Sequence, residues 1–419
     1  MTGKFSAAAI YMIMRGAMAV LFTMMSFISA IYRVQTAGLD PLQLVLVGTA
    51  LELSVFIFEV PTGVVADVVS RRLSVIIGYA LIGAGFIVEG LFPVFGAILL
   101  AQLIWGMGYT FTSGAEDAWL ADEIGEARLT RTYLRASQMG RAGSLLGILI
   151  SVGLGSVELN LPLVISGAGT IALALFLALF MPETGFHPTP RGERTHWQNM
   201  TDTLRDGMRL VRGRRILLLI LGISLFFGLA SEPLDRLWEA HLLESFAFPQ
   251  WNGLQQPVHW FGAMSVATLL VGFGLTEFIR RRVPAERLDV TISVQLLLNA
   301  LVVIAVIAFG LAGRFGVAAI AIMSAQVFRS AGRPLYMAWI NRQIEPRVRA
   351  TVLSMNGQLN AIGQVAGGPV LGALATAASI SAAMVGVGIL MLPALLFYTI
   401  AWRWTRSATV LVGGEVASL

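Results

Sequence analysis

Twelve apolar stretches, each about 20 residues long, fill nearly all of this 419-residue chain. A helix needs about 20 residues to cross a hydrocarbon core of about 30 Å. Within that core, only helices and closed barrels satisfy their backbone polar groups. The apolar residues run continuously and do not alternate with polar ones, so we predict helices. The chain is therefore expected to be an all-α integral membrane protein.

The even number of predicted crossings brings both ends of the chain to the same side of the membrane. The end of each span is placed to within about four residues. The predicted spans are 6–34, 42–66, 73–92, 96–120, 132–155, 162–182, 215–238, 257–280, 288–311, 315–340, 352–376 and 380–403.

The composition argues against an enzyme. Charged residues make up 13% of the chain, about half of what soluble domains carry, so no soluble catalytic domain fits. Cysteine is absent and the four histidines show no ligand spacing, so we predict no metal site and no cofactor. The only lysine is Lys4 and there is no phosphate-binding loop, so no ATP site is expected.

Arginine distribution predicts the orientation. The loops after the second, fourth, sixth, eighth, tenth and twelfth spans are rich in arginine, and the other loops hold almost none. We call the first set the arginine-rich side. The positive-inside rule places it in the cytoplasm, with both termini. The first span has no cleavage site and is expected to stay as an anchor in the cell (inner) membrane. This distribution also explains the net charge of +5, so no nucleic-acid partner is predicted.

A polar stretch after the sixth span divides the chain into six plus six spans. We predict a first bundle at 1–184, a cytoplasmic linker at 185–214, a second bundle at 215–403 and a cytoplasmic tail at 404–419. The linker shows apolar residues at helical spacing, which indicates an amphipathic helix on the membrane surface; a linker without a helix is the alternative. These apolar residues are Trp197, Met200, Leu204, Met208 and Val211.

The two halves also repeat. A shift of 220 positions carries the pair Ala118-Trp119 onto Ala338-Trp339. The same shift carries Ile124 onto Ile344, Gly143 onto Gly363 and Gly147 onto Gly367. Two parallel six-helix repeats predict a substrate site between the halves, near the membrane midplane.

A loop motif stands between the second and third spans. Gly63 allows close helix approach, and Asp67 is expected to accept bonds from the free amides of a neighbouring helix N-terminus. Arg71 and Arg72 are expected to anchor the turn to carboxylates or lipid phosphates. The alternative is a cationic loop with a chance aspartate.

This loop motif matches the signature of the major facilitator superfamily, and the chain resembles that superfamily over its whole length. The segment Met181–Thr184 after the sixth span fits the same resemblance. Within the superfamily, Phe58–Asp67, Leu42–Thr49 and Tyr109–Gly114 are similar to the tetracycline-resistance-like branch of drug:proton antiporters. The resemblance implies twelve helices in two pseudo-twofold bundles and transport by alternating access.

Two positions depart from the proton-coupled pattern. Gln102 occupies the place in the fourth span where many such members carry arginine. The fifth span lacks the Gly-Pro pair of the antiporter signature, whereas the eleventh contains Gly368-Pro369. The glycines of these two spans are assigned either to helix packing or to alternating access.

Charged residues inside the spans are the candidates for proton coupling, because a central charge costs about 2.5–3.5 kcal/mol even on insertion scales. Glu52 lies near the middle of the second span, and removal from water favours the neutral form of a carboxyl group. Arg15 and Arg141 are candidates either to balance Glu52 or to attract an anionic substrate; the alternative for Arg15 is snorkelling. Asp117 is the second protonation candidate, and Glu59, just before Pro61, is assigned mainly a structural role.

Two further groups of charges predict gates. We expect an inner gate between acids of the fourth span and bases of the tenth, and an outer gate between the first and seventh spans. The alternative for both is ordinary charge at helix ends. The inner gate comprises Glu116, Asp117, Arg329 and Arg333, and the outer gate comprises Arg33, Glu232, Asp235, Arg236 and Glu239.

Aromatic and apolar residues with few polar groups predict a cavity for a bulky amphipathic compound. The expected function is secondary export of drug-like molecules by a monomer, driven by protons, as in multidrug efflux and tetracycline resistance. Alternatives are a lipid or lysophospholipid transporter, a nutrient importer and a passive channel. The candidate cavity residues are Phe22, Met25, Ser29, Gln102, Trp105, Tyr109, Phe226, Phe227, Gln326 and Phe328.

Overall fold

The computed structural model describes residues 6–187, 213–251, 256–283, 287–344 and 349–416, without the side chains of Ala350 and 407–416. The predicted amphipathic helix of the linker lies outside the described residues and stays a prediction.

The regular elements of the described residues are α-helices. The first half contains α1 (Ala7–Gln35), α2 (Pro41–Val68), α3 (Arg71–Leu91), α4 (Phe95–Thr112), α5 (Ala115–Ile124), α6 (Glu126–Gly155) and α7 (Leu161–Phe180). The second half contains α8 (Arg215–Ser245), α9 (Pro257–Arg282), α10 (Leu288–Gly310), α11 (Phe315–Gln343), α12 (Arg349–Ala377) and α13 (Ile380–Val416).

Local sequence sets several helix starts. Ser6 and Ser70 accept backbone N–H bonds at the beginnings of α1 and α3. Asp40 and Gln43 form a capping box at the beginning of α2, where Pro41 occupies the first turn. Such caps satisfy amide groups that have no partner within the helix. They explain why loops of only a few residues separate the first three helices.

Ten of the described helices are long and apolar enough to cross a membrane. In that set α4 and α5 count as one span, Phe95–Ile124. The other two long helices are α6 and α12, with 30 and 29 residues. The first part of α6 carries four arginines, and α12 carries a row of asparagine and glutamine side chains. The twelve predicted spans therefore all coincide with helices, and these two are the most polar.

The fourth predicted span is not one continuous helix. It breaks between Thr112 and Ala115, where Gly114 has a φ of +74°. This left-handed conformation is accessible to glycine because it has no Cβ. At the same register of the second repeat, α11 contains Pro334 and stays helical. Both repeats thus place a residue that weakens the helix at the corresponding point.

The chain divides into two compact units. Unit 1 comprises Met1–His196 with Pro249–Gly262, and unit 2 comprises Trp197–Phe248 with Ala263–Leu419. The predicted bounds of the bundles, linker and tail stay a prediction. The largest fully buried side chains of unit 1 include Trp119, Tyr32 and Tyr79, and those of unit 2 include Trp339 and Tyr398.

Corresponding glycines pack the helices of each unit. A Cβ built on Gly143 of α6 would lie 2.8 Å from the carbonyl oxygen of Gly16 on α1, and one on Gly147 would lie 2.6 Å from that of Val20. Lipid-embedded helices associate by close backbone packing of this kind.

The same contact recurs in unit 2. A Cβ on Gly363 of α12 would lie 2.5 Å from the carbonyl oxygen of Leu225 on α8, and one on Gly367 would collide with the backbone of Leu229. The glycine pairs that the 220-residue repeat predicted therefore make equivalent contacts. Packing explains these four glycines.

We predict that Gly147→Ala destabilises the protein, because the new methyl group would force α6 away from α1. Gly153→Ala is the matched control on the same helix, since nothing lies within 4 Å of its Cβ position. In detergent, the apparent melting temperature should fall for Gly147→Ala and stay level or rise for Gly153→Ala. Equal melting temperatures for the two variants would contradict the packing argument.

Candidate functional site

A buried carboxylate lies at the first turn of α5. The Tyr79 hydroxyl of α3 donates to Glu116 Oε1 at 2.7 Å, and Arg15 Nη1 of α1 approaches Glu116 Oε2 at 3.3 Å. The Glu116 side chain is 10% exposed, whereas that of Arg15 is 53% exposed. A carboxylate that is buried inside a membrane needs such partners or a proton. Because the Arg15 side chain is much more exposed than that of Glu116, Arg15 is the accessible member of the pair.

The next residue, Asp117, forms a second tyrosine–carboxylate pair. The Tyr11 hydroxyl of α1 donates to Asp117 Oδ1 at 2.7 Å. Tyr11 is buried and stacks edge-on against Tyr133 of α6, with ring centroids 5.8 Å apart, whereas Asp117 is exposed. We call Tyr11, Arg15, Tyr79, Glu116 and Asp117 the acid cluster. It contains two carboxylates and one cation.

Arg15 and Arg141 are the two cations that the sequence analysis considered as partners of Glu52. Arg15 pairs with Glu116, which was assigned from the sequence only to the inner gate. Glu52 is half-buried, and Glu59 and Arg141 are exposed. The roles of Glu52, Glu59, Arg141 and Asp117 in proton coupling stay predictions, and the geometry adds Glu116 as a further candidate.

A second buried ion pair lies at the opposite end of unit 1. Arg33 of α1 donates to both carboxylate oxygens of Glu89 on α3, at 2.8 and 3.0 Å, and both side chains are at most 5% exposed. Gln102 Nε2 of α4 adds a third bond to Glu89 at 2.8 Å. The Tyr32 hydroxyl donates to the Glu89 and Gly90 carbonyl oxygens.

This network corrects two predictions. Arg33 was assigned to an outer gate facing the seventh span, but its guanidinium is buried within unit 1 against Glu89. Gln102 was assigned to the substrate cavity, but it is 1% exposed and bound to the same carboxylate.

The two predicted gates also share an ion pair. Arg329 of α11 donates to both carboxylate oxygens of Asp235 on α8, at 2.5 and 3.0 Å. Arg329 was assigned to the inner gate and Asp235 to the outer one, so at least one assignment is wrong. Arg236 is bound one turn along α8 to Glu232, which is buried. The predicted roles of Arg333 and Glu239 stay predictions.

The candidate cavity residues of unit 1 divide by exposure. Phe22 and Tyr109 are 37% and 49% exposed, and Phe22 packs against the ring of Trp105 at 5.8 Å. Met25 and Ser29 are buried, and the Ser29 hydroxyl donates to the Met25 carbonyl oxygen at 2.8 Å. Unit 1 therefore offers an aromatic surface, and the assignment of Met25 and Ser29 to a cavity is wrong.

The cavity candidates of unit 2 are all half-buried. Phe226 and Phe227 make ring contacts with Phe397 and Tyr398 of α13. Phe328 packs against a small apolar cluster between α9, α10 and α11, and Gln326 lies one half-turn away on α11. Their role in binding a substrate stays a prediction.

Neutral polar residues form a network in unit 2. The Ser224 hydroxyl of α8 donates to the Asn356 carbonyl oxygen at 2.8 Å, and the Tyr336 hydroxyl of α11 donates to Asn356 Oδ1 at 3.1 Å. Asn360 Nδ2 donates to the Ser224 carbonyl oxygen at 3.1 Å. Gln364 Nε2 continues the row to Asn360 Oδ1 at 2.8 Å.

The loop motif anchors the arginine-rich end of unit 1. Arg71 forms an ion pair with Asp122 at the end of α5 and donates to the Ala118 carbonyl oxygen at 2.9 Å. Arg72 donates to the Ala178 carbonyl oxygen at 2.6 Å. Gly63 and Asp67 have no such contact among the described residues, and the predicted bond of Asp67 to helix amides stays a prediction.

The segment after α7 is tied to the same end. Glu183 accepts a bond from the Ser70 hydroxyl at 2.6 Å and one from the Arg72 amide at 2.9 Å. Trp119 Nε1 donates to the Pro182 carbonyl oxygen at 2.6 Å. Glu123 accepts bonds from the Thr184 hydroxyl and amide. The two motifs that carried the family resemblance thus form one polar cluster.

Sequence reasoning missed most members of these networks, among them Glu89, Tyr11 and Tyr79. Glu89 is a charged residue inside the third predicted span, so the rule on intramembrane charges was enough to find it. Tyr11 and Tyr79 carried no such signal, because a tyrosine in a membrane helix is common and its hydroxyl partner depends on the fold.

Comparison with known proteins identifies the family. The sequence profile of the Major Facilitator Superfamily matches residues 6–323. The chain belongs to this superfamily. A relative from Bacillus subtilis (strain 168), named as the uncharacterised MFS-type transporter YxaM, is 23% identical over 367 residues, which cover 86% of this chain and 88% of the relative. The chain is therefore a multi-pass membrane transporter.

Solved structures of superfamily transporters share the fold. A point mutant of the nucleoside transporter NupG superposes with a TM-score of 0.73 at 14% identity, covering 96% of this chain and 99% of that one. A bacterial homologue of the human lysosomal transporter Spinster gives 0.71 at 17% identity, covering 97% and 99%. A POT family transporter in complex with a thioalcohol-conjugated peptide gives 0.72 at 12% identity, covering 96% of both.

We predict that Glu89→Ala strongly destabilises the protein, because it removes the carboxylate that accepts two bonds from the buried Arg33 guanidinium. Breaking one partner of a buried pair costs about 3–5 kcal/mol. The double variant Arg33→Met with Glu89→Met removes both charges and should recover most of the loss. Unfolding in detergent measures the effect.

Glu277→Ala is the matched control for this ion pair, since it removes a carboxylate from the solvent-facing partners Arg280 and Arg281. It should change stability far less. A double variant no more stable than Glu89→Ala would refute the burial argument.

Proposed function

We propose that this protein is a secondary active transporter that exports amphipathic, drug-like cations by alternating access in exchange for protons. The observation that supports this proposal is the acid cluster, which contains two adjacent carboxylates and one half-exposed arginine. The alternative to an exchanger is a passive channel, and an uphill transport assay separates the two.

The charge balance of the acid cluster favours exchange. Arg15 neutralises one carboxylate, so the cluster keeps one negative charge when both acids are ionised. That remaining negative charge attracts a proton or a ligand cation. Both compensate the same charge, and their competition couples binding of a cation to release of a proton.

The different exposure of Asp117 and Glu116 supports different roles for the two acids, with Asp117 binding the cation and Glu116 the proton. Asp117 is exposed and is the acid that an entering cation meets first. Glu116 is buried against Tyr79 and Arg15, and it takes a proton when Arg15 moves away. The exposed rings of Phe22 and Tyr109 on α1 and α4 supply apolar surface for the remainder of an amphipathic molecule.

Membrane orientation completes the proposal. The arginine-rich side faces the cytoplasm by the positive-inside rule, and the acid cluster lies in the half of unit 1 nearer to that side. A cation from the cytoplasm would reach Asp117 from there, and protons would return down their gradient. Membrane lipids are the expected surroundings and a monomer the expected unit.

A second candidate function is uptake of a polar nutrient. It is supported by the similar structures, which include a nucleoside transporter and a peptide-bound POT family transporter. Such a substrate would bind at the neutral network of unit 2. It would move across the membrane in the same direction as the protons. Proton movement relative to substrate movement discriminates the two candidates.

The test is uphill transport of ethidium by the full chain in liposomes under an imposed pH gradient. We expect ethidium and protons to move in opposite directions. Glu116→Gln and Asp117→Asn should each reduce uphill transport at least tenfold, because the exchangeable charge is lost. Ethidium affinity of the native chain should weaken as the pH falls, since the proton competes, and Glu116→Gln should flatten this dependence.

Glu126→Gln is the matched control, because Glu126 is an exposed carboxylate at the nearby start of α6. It should transport like the native chain. Uphill ethidium transport that persists in both site variants would overturn the proposal. Accumulation of nucleosides or peptides together with protons would favour nutrient uptake.

A further inference from the structure

The two units place different chemistry at equivalent positions. The packing glycines define the register of the first helix of each unit, since Gly16 and Val20 correspond to Leu225 and Leu229, both 209 positions later. In that register Arg15 corresponds to Ser224. The correspondence rests on backbone contacts, independently of the side chains compared.

The fourth helix of each repeat gives the second equivalence. Trp119 and Trp339, 220 positions apart, are both fully buried. The helix-weakening residues Gly114 and Pro334 stand at the same separation. In this register Glu116 corresponds to Tyr336. The ionic pair of unit 1 is therefore replaced in unit 2 by two hydroxyl side chains.

These hydroxyl groups meet at one asparagine. Ser224 bonds to the backbone carbonyl of Asn356 and Tyr336 bonds to its side-chain oxygen. The shift of 220 positions makes Asn356 correspond to Ala136 in unit 1, which is buried and has no polar side-chain atom. The polar amide is thus specific to unit 2.

The amide row continues along one face of α12. Asn356, Asn360 and Gln364 stand four residues apart, a spacing that aligns side chains on a helix. All three are half-buried. Among the described residues, no partner is bonded to Asn356 Nδ2 or to Gln364 Oε1. The row therefore holds a free donor and a free acceptor, without any titratable group of its own.

We infer that this amide row is the binding site for an uncharged hydrogen-bonding group of the substrate, an amide or ring carbonyl attached to an aromatic system. The inference rests on the proposed function and names the substrate chemistry of unit 2. Asn356 Nδ2 donates to the carbonyl oxygen of that group. Gln364 Oε1 accepts from its N–H, and the rings of Phe226 and Phe227, which pack against the same apolar cluster as Tyr336, contact its aromatic part.

Neutral amides suit this task better than charges. A guanidinium would donate to a carbonyl and a carboxylate would accept from an N–H, but either would carry a large desolvation penalty inside the bilayer. A site that is built to hydrogen-bond a ligand also rejects an analogue that lacks the polar group, because its own polar atoms are then left unpaired. The row therefore supplies specificity for the neutral group of the substrate.

The test uses two quaternary ammonium ions of equal charge and nearly equal shape, one built on benzanilide and one on trans-stilbene. They differ in the amide linkage. Equilibrium binding to the purified full chain should favour the benzanilide ion. Asn356→Leu should weaken its binding about tenfold or more, as expected for a lost hydrogen bond in a buried site, and should leave binding of the stilbene ion within about twofold.

Gln358→Leu is the matched control, since it removes an amide from α12 about 200° around the helix from Asn356. It should leave both affinities unchanged. Asn356→Gln, which keeps an amide, should retain part of the preference. Tyr336→Phe provides a second variant if Asn356→Leu does not fold, and it should also reduce the preference.

Equal weakening of both ions by Asn356→Leu, or equal affinities for the two ions in the native chain, would overturn this inference. Such a result leaves proton-driven ethidium transport intact if the proposed function is correct. Conversely, a chain without uphill transport that still prefers the benzanilide ion would contradict the exchanger and retain the amide site. The two failures are therefore distinguishable.

Discussion

The cost of placing charge inside a hydrocarbon layer governs the arrangement of polar residues in this transporter. In unit 1, Glu89 is held by two bonds from Arg33, whereas Glu116 has one long contact with Arg15 and one bond from Tyr79. The first arrangement is closed, with both side chains buried. The second leaves its cation half exposed. We assign stability to the first pair and exchange chemistry to the second because only the second has an accessible partner.

Close backbone packing brings these charges into register. Gly143 and Gly147 let α6 approach α1, the helix that carries Arg15. The break at Gly114 starts a new helix whose first turn contains Glu116 and Asp117. The repeat keeps these backbone features in unit 2 and changes the side chains at the equivalent positions. A shared framework therefore carries an ion pair in one unit and a neutral hydrogen-bond network in the other.

Most of the fold was predictable because bilayer thickness fixes span length and because arginine marks alternate loops. The starts of α8 and α10 were predicted at the observed residues. The functional site was less predictable, since hydropathy does not show which way a single side chain faces around its helix or how deep it lies in the membrane. Arg329 and Asp235 were therefore assigned to opposite gates although they are bonded. Arg15 was matched with Glu52 because nothing in the sequence brings α5 close to α1.

Proton release on ligand binding tests the central claim most directly. Purified protein in weakly buffered detergent would be mixed with ethidium at several pH values while a pH indicator records the protons released. The account predicts release of about one proton per bound cation over the pH range in which the acid cluster is protonated, and no release in Glu116→Gln or Asp117→Asn. Saturable ethidium binding without proton release at every pH would contradict it.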